Sequence, residues 1–226
     1  MKGNIRATLQ NGSLTLAARE AAAAPSIAYA TVADGGFEKT LTVIVCSGAR
    51  LLPAAAGKIE GAGSRKGRPF GGPQDCAVLA ENGRVALSCP DMPAGQYALM
   101  TLGRFAGRQS ANYPIHFVLP GTKQFVKCAT PNSLETEFLK APYGRAGGRA
   151  NFKWEYPPVR ESYPYKDMRT FPMSPTTDML VFSNEGAEPY ELAAVLLMPT
   201  PTREFRRELV KVLCGLNGAA ERVTPW

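Results

Sequence analysis

Residues 5–16 read IRATLQNGSLTL, and the Asn11-Gly12 dipeptide at their centre sets the fold class. A two-residue type I′ turn needs positive φ at both central positions, and Asn-Gly supplies it at little steric cost. Folding the segment about that turn puts Leu9 opposite Leu14 and Ala7 opposite Leu16 on one face, with Thr8 and Thr15 on the other. Apolar and polar positions sort by the two-residue period of a strand, which predicts a β-hairpin.

A second Asn-Gly stands in residues 76–89, CAVLAENGRVALSC. Glu81 and Arg84 flank the turn as an opposite-charge pair, Val78 then faces Leu87, and Ala80 faces Val85. The same register sets Cys76 against Cys89 as a cross-strand cysteine pair at a non-hydrogen-bonded position. There the Cα atoms approach to roughly 4.5 Å, within reach of a strained disulfide. In a reducing compartment the two serve instead as small core residues.

Further strands are expected at residues 27–32, 40–46, 96–102, 114–119, 124–128, 178–183 and 190–198. Their apolar, β-branched and aromatic content, punctuated by Gly, Pro and Asn, predicts a mainly β fold, an antiparallel β-sandwich. The composition agrees: 22 glycines and 19 prolines in 226 residues favour turns over long helices, and 45% hydrophobic residues are enough for a core. Residues 49–72 read as a long basic loop, and a short helix is expected over 133–140. No apolar run approaches the length of a membrane span. Lys2, Arg6 and Arg19 precede the first acid, Glu20, as in a transit peptide, but the hairpin over the same residues argues against one.

After Ala141 the composition changes. Six prolines between 142 and 176 are interleaved with Tyr143, Trp154, Tyr156, Tyr163, Tyr165 and Phe171. Proline blocks regular structure, whereas aromatics need burial, so this stretch is expected to be an extended arm that packs on something. The chain thus divides into a sandwich domain over 1–141, the arm over 142–176, and returning strands with a C-terminal helix over 177–226. That helix is expected over 201–214, with Thr200 as N-cap, Pro201 at its first position and Gly215 as its stop. Phe205, Leu209, Val212 and Leu213 form its apolar stripe, and Arg203, Arg206, Arg207 and Lys211 its wet side.

Catalytic chemistry finds little support. His116 is the one histidine, placed on a strand with no cysteine motif near it in sequence, and there is no Cys-x-x-Cys or His cluster for a metal. Neither GAGSRKG (61–67) nor GRAGGR (144–149) matches a phosphate loop. The chain is therefore not expected to be an enzyme, and no cofactor or metal is expected. The net charge of +7 suits an anionic partner, and equally suits plain solubility. Tyr143, Arg145, Arg149, Lys153, Trp154, Tyr156, Tyr163, Tyr165 and Phe171 are the candidate partner-binding residues. Cations beside stacking rings suit single-stranded RNA, and suit a protein groove as well.

Residues 92–99, MPAGQYAL, followed by 113–118, YPIHFV, resemble one corner of the C2-like β-sandwich of calpains. In that family a Leu-Pro-x-Gly-x-Tyr segment leads into a strand. Leu41–Val45 would be an earlier strand, and the likeness covers about residues 37–120. The protease core and the acidic Ca²⁺ loops are absent, so the resemblance implies a non-catalytic, calpain-like module.

The function expected on these grounds is that of a structural subunit of a large macromolecular assembly, binding other protein subunits through its arm and basic loops. An RNA-binding protein, such as a peripheral organellar ribosomal subunit, and a virion structural protein are the alternatives. The location expected is intracellular, cytoplasmic or cytoskeletal first, with mitochondrion or virion behind.

Overall fold

The computed structural model describes residues 5–10, 13–18, 25–34, 36–68, 75–105, 115–118, 125–128, 152–157, 159, 167–199 and 202–222. The chain divides into two compact units, Met1–Ala49 and Arg50–Trp226. The first unit holds two hairpins. Strands β1 (Ile5–Gln10) and β2 (Ser13–Ala18) pair with Leu9 opposite Leu14 and Thr8 opposite Thr15, the register that Asn11-Gly12 predicts. Strands β3 (Ser26–Asp34) and β4 (Phe37–Val45) form a longer ladder, from Ser26 opposite Val45 to Asp34 opposite Phe37.

The second unit is an antiparallel β-sandwich. Its strands run β5 (Arg50–Pro53), β6 (Lys58–Glu60), β7 (Arg65–Gly67), β8 (Cys76–Leu79), β9 (Arg84–Ser88), β10 (Gly95–Phe105), β11 (Ile115–Val118), β12 (Phe125–Cys128), β13 (Lys153–Glu155), β14 (Thr170–Met173), β15 (Met179–Ser183) and β16 (Tyr190–Pro199). Helix α1 (Arg203–Arg222) closes the order. One sheet has the path β13-β10-β16-β8-β7, with β14 also on β10 and β5 also on β16; the other runs β12-β11-β15-β9-β6. Between them lies one core, to which Leu79, Tyr97, Leu99, Phe171, Tyr190 and Leu197 contribute from the first sheet. Val85, Leu87, Leu180 and Phe182 contribute from the second.

Strand β16 is apolar along almost its whole length because both faces of its sheet are covered. Its register against β10 jumps from Leu102 opposite Ala194 to Gly103 opposite Leu192, leaving Ala193 as the extra residue of a bulge. The bulge reverses the alternation, so Tyr190, Leu192, Val195 and Leu197 all reach the core while Ala193 joins Cys76 and Val78 in a second apolar cluster.

The second Asn-Gly does not make a hairpin ladder. Strands β8 and β9 enter different sheets: Cys76 pairs with Gly67 on β7, and β9 pairs with β6 and β15. Asn82 adopts φ 59, but Gly83 is not among the positive-φ glycines, so the two-residue I′ turn is not formed. The corner is fixed from outside instead. Asn184 donates through Nδ2 to the carbonyls of Leu79, Ala80 and Glu188, its amide donates to Gly83, and Ser64 Oγ accepts from the Ala80 amide.

Three short strands, β5, β6 and β7, occupy the stretch read as a basic loop. The arm also supplies strands: Lys153–Glu155 and Thr170–Met173 line the same edge of β10. Helix α1 begins two residues later than expected and runs on past Gly215. Thr202, two residues after Thr200, is its cap and accepts the Phe205 amide at 3.2 Å. Thr200, Pro201 and the helix expected at 133–140 lie outside the described residues.

Candidate functional site

Gly103 brings β10 close to a core ring: a Cβ there would clash with the Tyr190 hydroxyl. The Tyr190 hydroxyl donates to Glu155 Oε2 at 2.7 Å inside the sandwich. One residue along, Arg104 faces Glu191 across the ladder, and the guanidinium donates to the carboxylate at 2.6 Å. The Phe152 ring covers Arg104 at 4.4 Å from its centroid. Beside this pair, burial and the Glu191 carboxylate push the Cys76 thiol up to about 11, so it is an inert proton carrier at neutral pH. Arg104 and Glu191 thus meet as opposite charges screened from solvent, which is the arrangement of a structural lock.

Asp167 is buried too and receives both Arg203 and Arg206 of α1, each at 3.1 Å. The helix arginines expected on the wet side thus anchor α1 to the arm. Arg207 and Lys211 are exposed, as the helical period places them.

A solvent-open cleft of about 320 Å³ lies where β14 of one sheet hands over to β15 of the other. Ser174-Pro175-Thr176-Thr177 makes a turn closed by the Thr177 amide on the Ser174 carbonyl at 2.8 Å, with proline at the position that favours it. Ser174 Oγ and Thr176 Oγ1 share a hydrogen bond at 2.7 Å, and Thr177 Oγ1 accepts the Ser174 amide. Each hydroxyl keeps further capacity for a ligand. Pro172, Met173 and Met179 supply apolar walls, and Asp178 is the one charged side chain of the lining. Met179 is 51% exposed, so its thioether side of the cleft is open to solvent. The cleft has no local signature in the sequence, because SPTTDM (174–179) offers no motif, only a turn.

Of the candidate partner-binding residues, the structure describes Lys153, Trp154, Tyr156 and Phe171. Tyr143, Arg145, Arg149, Tyr163 and Tyr165 lie outside the described residues. Tyr156 and Phe171 are buried in their own unit, Trp154 is half-buried, and Lys153 stands on β13 opposite Gly103. Arg169 stacks on Phe171 at 5.4 Å. Cys76 and Cys89 are both buried and free, the first in the outer cluster and the second in the main core. His116 stands on β11 opposite Lys127 and Ser183. The glycines of 61–67 form a structural turn ending in β7, with Ser64 spent on the corner at Ala80. Among the described residues, no group of three His, Cys, Asp or Glu could hold a metal, and no helix is long and apolar enough to cross a membrane.

No protein-family model matches the chain, and no curated protein is significantly similar to it. Solved structures do align with it. The C-terminal CBM6 of LamC, a marine laminarinase from Zobellia galactanivorans, is 9% identical at TM-score 0.43, over 66% of this chain and 98% of its own. A carbohydrate-binding module, CBM6cm-2, of lichenase 5A from Cellvibrio mixtus, solved with cellotriose, is 10% identical at 0.40, over 67% and 97%. The catalytic unit of a thermostable GH87 α-1,3-glucanase from Streptomyces thermodiastaticus is 11% identical at 0.37, over 69% of this chain and 26% of its own. The first two are described as carbohydrate-binding modules and the third as a catalytic unit.

The calpain-type resemblance is corrected, since the first two structures are carbohydrate-binding modules and not C2-like domains. The motif behind it is a sandwich corner of general use: Asp91 turns at φ 56, and Tyr97 Oη donates back to the Pro93 carbonyl at 3.1 Å. The reading as a structural subunit of an assembly, with the RNA-binding and virion alternatives, is corrected with it, as are other protein subunits and RNA as partners. Two of the arm's aromatics, Tyr156 and Phe171, are already consumed by their own core.

Proposed function

We propose that this chain is a non-catalytic β-sandwich module that binds carbohydrate through the cleft between Pro172 and Met179. The observation that carries the reading is the chemistry of that cleft. Its volume of about 320 Å³ falls at the small end of ligand sites, the scale of one or two sugar rings. Asp178 without any Lys or Arg in the lining repels phosphate and carboxylate ligands. It accepts strongly from neutral hydroxyls, and hydrogen bonds to a charged group are worth about 1.5–3 kcal/mol each. Ser174, Thr176 and Thr177 can each donate or accept, as a polyol requires. Met179 and Pro172 meet the C–H face of a sugar ring, which alternates with its hydroxyl edge.

Affinity electrophoresis and calorimetry against soluble β-1,3-, β-1,4- and α-1,3-glucans test the proposal. Asp178→Ala is expected to weaken binding by about tenfold or more, the equivalent of one charge-assisted hydrogen bond, without lowering Tm. If the parent ignores every glucan tried, or Asp178→Ala binds as tightly as the parent, the proposal fails.

A further inference from the structure

Cys89 lies directly behind the cleft, fully buried, one residue beyond the ladder that sets Ser88 opposite Met179. Its amide donates to the Asp178 carbonyl at 2.8 Å and its thiol to the Thr177 carbonyl at 3.4 Å. We propose that Cys89 is a positioning residue for the carbohydrate cleft, holding the backbone on both sides of Asp178 so that its carboxylate stays aimed at the ligand; this rests on the cleft being the binding site.

Two peptide planes meet at the Asp178 Cα. The Thr177 carbonyl belongs to the plane before it and the Asp178 carbonyl to the plane after it. Peptide groups are rigid, so fixing both carbonyls fixes φ and ψ of Asp178 and with them the direction of its Cβ. The turn over 174–177 is closed by its own hydrogen bonds, and those bonds leave the orientation of residue 178 open. Cys89 supplies the missing constraint. It is itself held by the next turn, where Arg50 donates to the carbonyls of Pro90 and Asp91. Burial, with the Asp178 carboxylate adding to it, raises the Cys89 thiol above its ordinary range, while Arg50 opposes the shift. The sulfur therefore keeps its proton, and its role as donor, across physiological pH.

The test compares the full chain with Cys89→Ala, Cys89→Ser and Asp178→Ala, reading glucan affinity, Tm and amide hydrogen exchange of residues 174–179. Cys89→Ala removes the side-chain donor and is expected to weaken binding about fivefold, the worth of one neutral hydrogen bond, and to speed exchange in 174–179. Cys89→Ser restores a donor and is expected to return affinity to within about twofold of the parent, which a loss of packing alone would not allow. Parent-like affinity and exchange in Cys89→Ala overturn the positioning role, as does equal weakening in both Cys89 variants. In those cases a weakened Asp178→Ala keeps the cleft as the site. Unchanged binding by Asp178→Ala, or no binding by the parent, overturns the cleft reading and this inference together.

Discussion

Glu191 is 6% exposed and Arg104 7%, and the two are buried together as an ion pair across β10 and β16. The bulge at Ala193 makes this pairing: it turns Glu191 to the covered outer face while leaving Tyr190 and Leu192 in the core. Phe152 seals the guanidinium from above. Removing Glu191 takes from the buried Arg104 the carboxylate it donates to, so Glu191→Ala is expected to cost about 3–5 kcal/mol in urea denaturation. Replacing both, as Arg104→Met with Glu191→Leu, is expected to recover most of that loss, since apolar residues of similar volume avoid the desolvation cost. A double variant as unstable as the single one would mean that the pair is more than a lock. Sequence alone does not find this pair. Residues 104 and 191 are joined by a strand register, and no local pattern announces it.

Elements divide in the same way between local and distant causes. Strand β1 finds β2 because Asn11-Gly12 and the alternation agree within twelve residues, so that hairpin was legible. Residues 76–89 carry the same dipeptide, but the four residues of β8 are buried on both faces whereas β9 alternates buried and exposed. That difference, CAVL against RVALS, is the signal of a strand inside a covered sheet beside one at a half-solvated sheet, and Asn184 from far along the chain enforces the split. Strands β5, β6, β7, β13 and β14 have three or four residues each, too short for periodicity to register. The cleft was illegible for a related reason: its residues are a turn whose meaning comes from the two sheets it joins. Helix α1 was read from its stripe, with Leu209 and Leu213 buried as expected and Val210 added. Leu209→Ala is accordingly expected to cost about 2–5 kcal/mol. A change below about 0.5 kcal/mol, the range of surface substitutions, would show that the stripe does not pack on its own unit.

The two units differ in what holds them. Every member of the main core, from Ala54 to Leu197, belongs to the unit that begins at Arg50, and so do the buried ion pairs of Glu191 and Asp167. In Met1–Ala49, by contrast, no residue whose burial is described is fully buried, and both of its ladders are two-stranded. An isolated two-stranded hairpin is marginal in water, whereas a two-sheet sandwich around one core is a complete folding unit. The candidate cleft, Cys89 and α1 all lie on the sandwich side of the boundary. Residues 50–226 alone are therefore expected to unfold in one cooperative transition within a few degrees of the whole chain and to keep glucan binding, whereas residues 1–49 alone are expected to show no cooperative transition. Calorimetry of the two fragments decides the matter. A non-cooperative 50–226 fragment would mean that the sandwich depends on the preceding hairpins, and that the boundary at Ala49 does not separate independent folds.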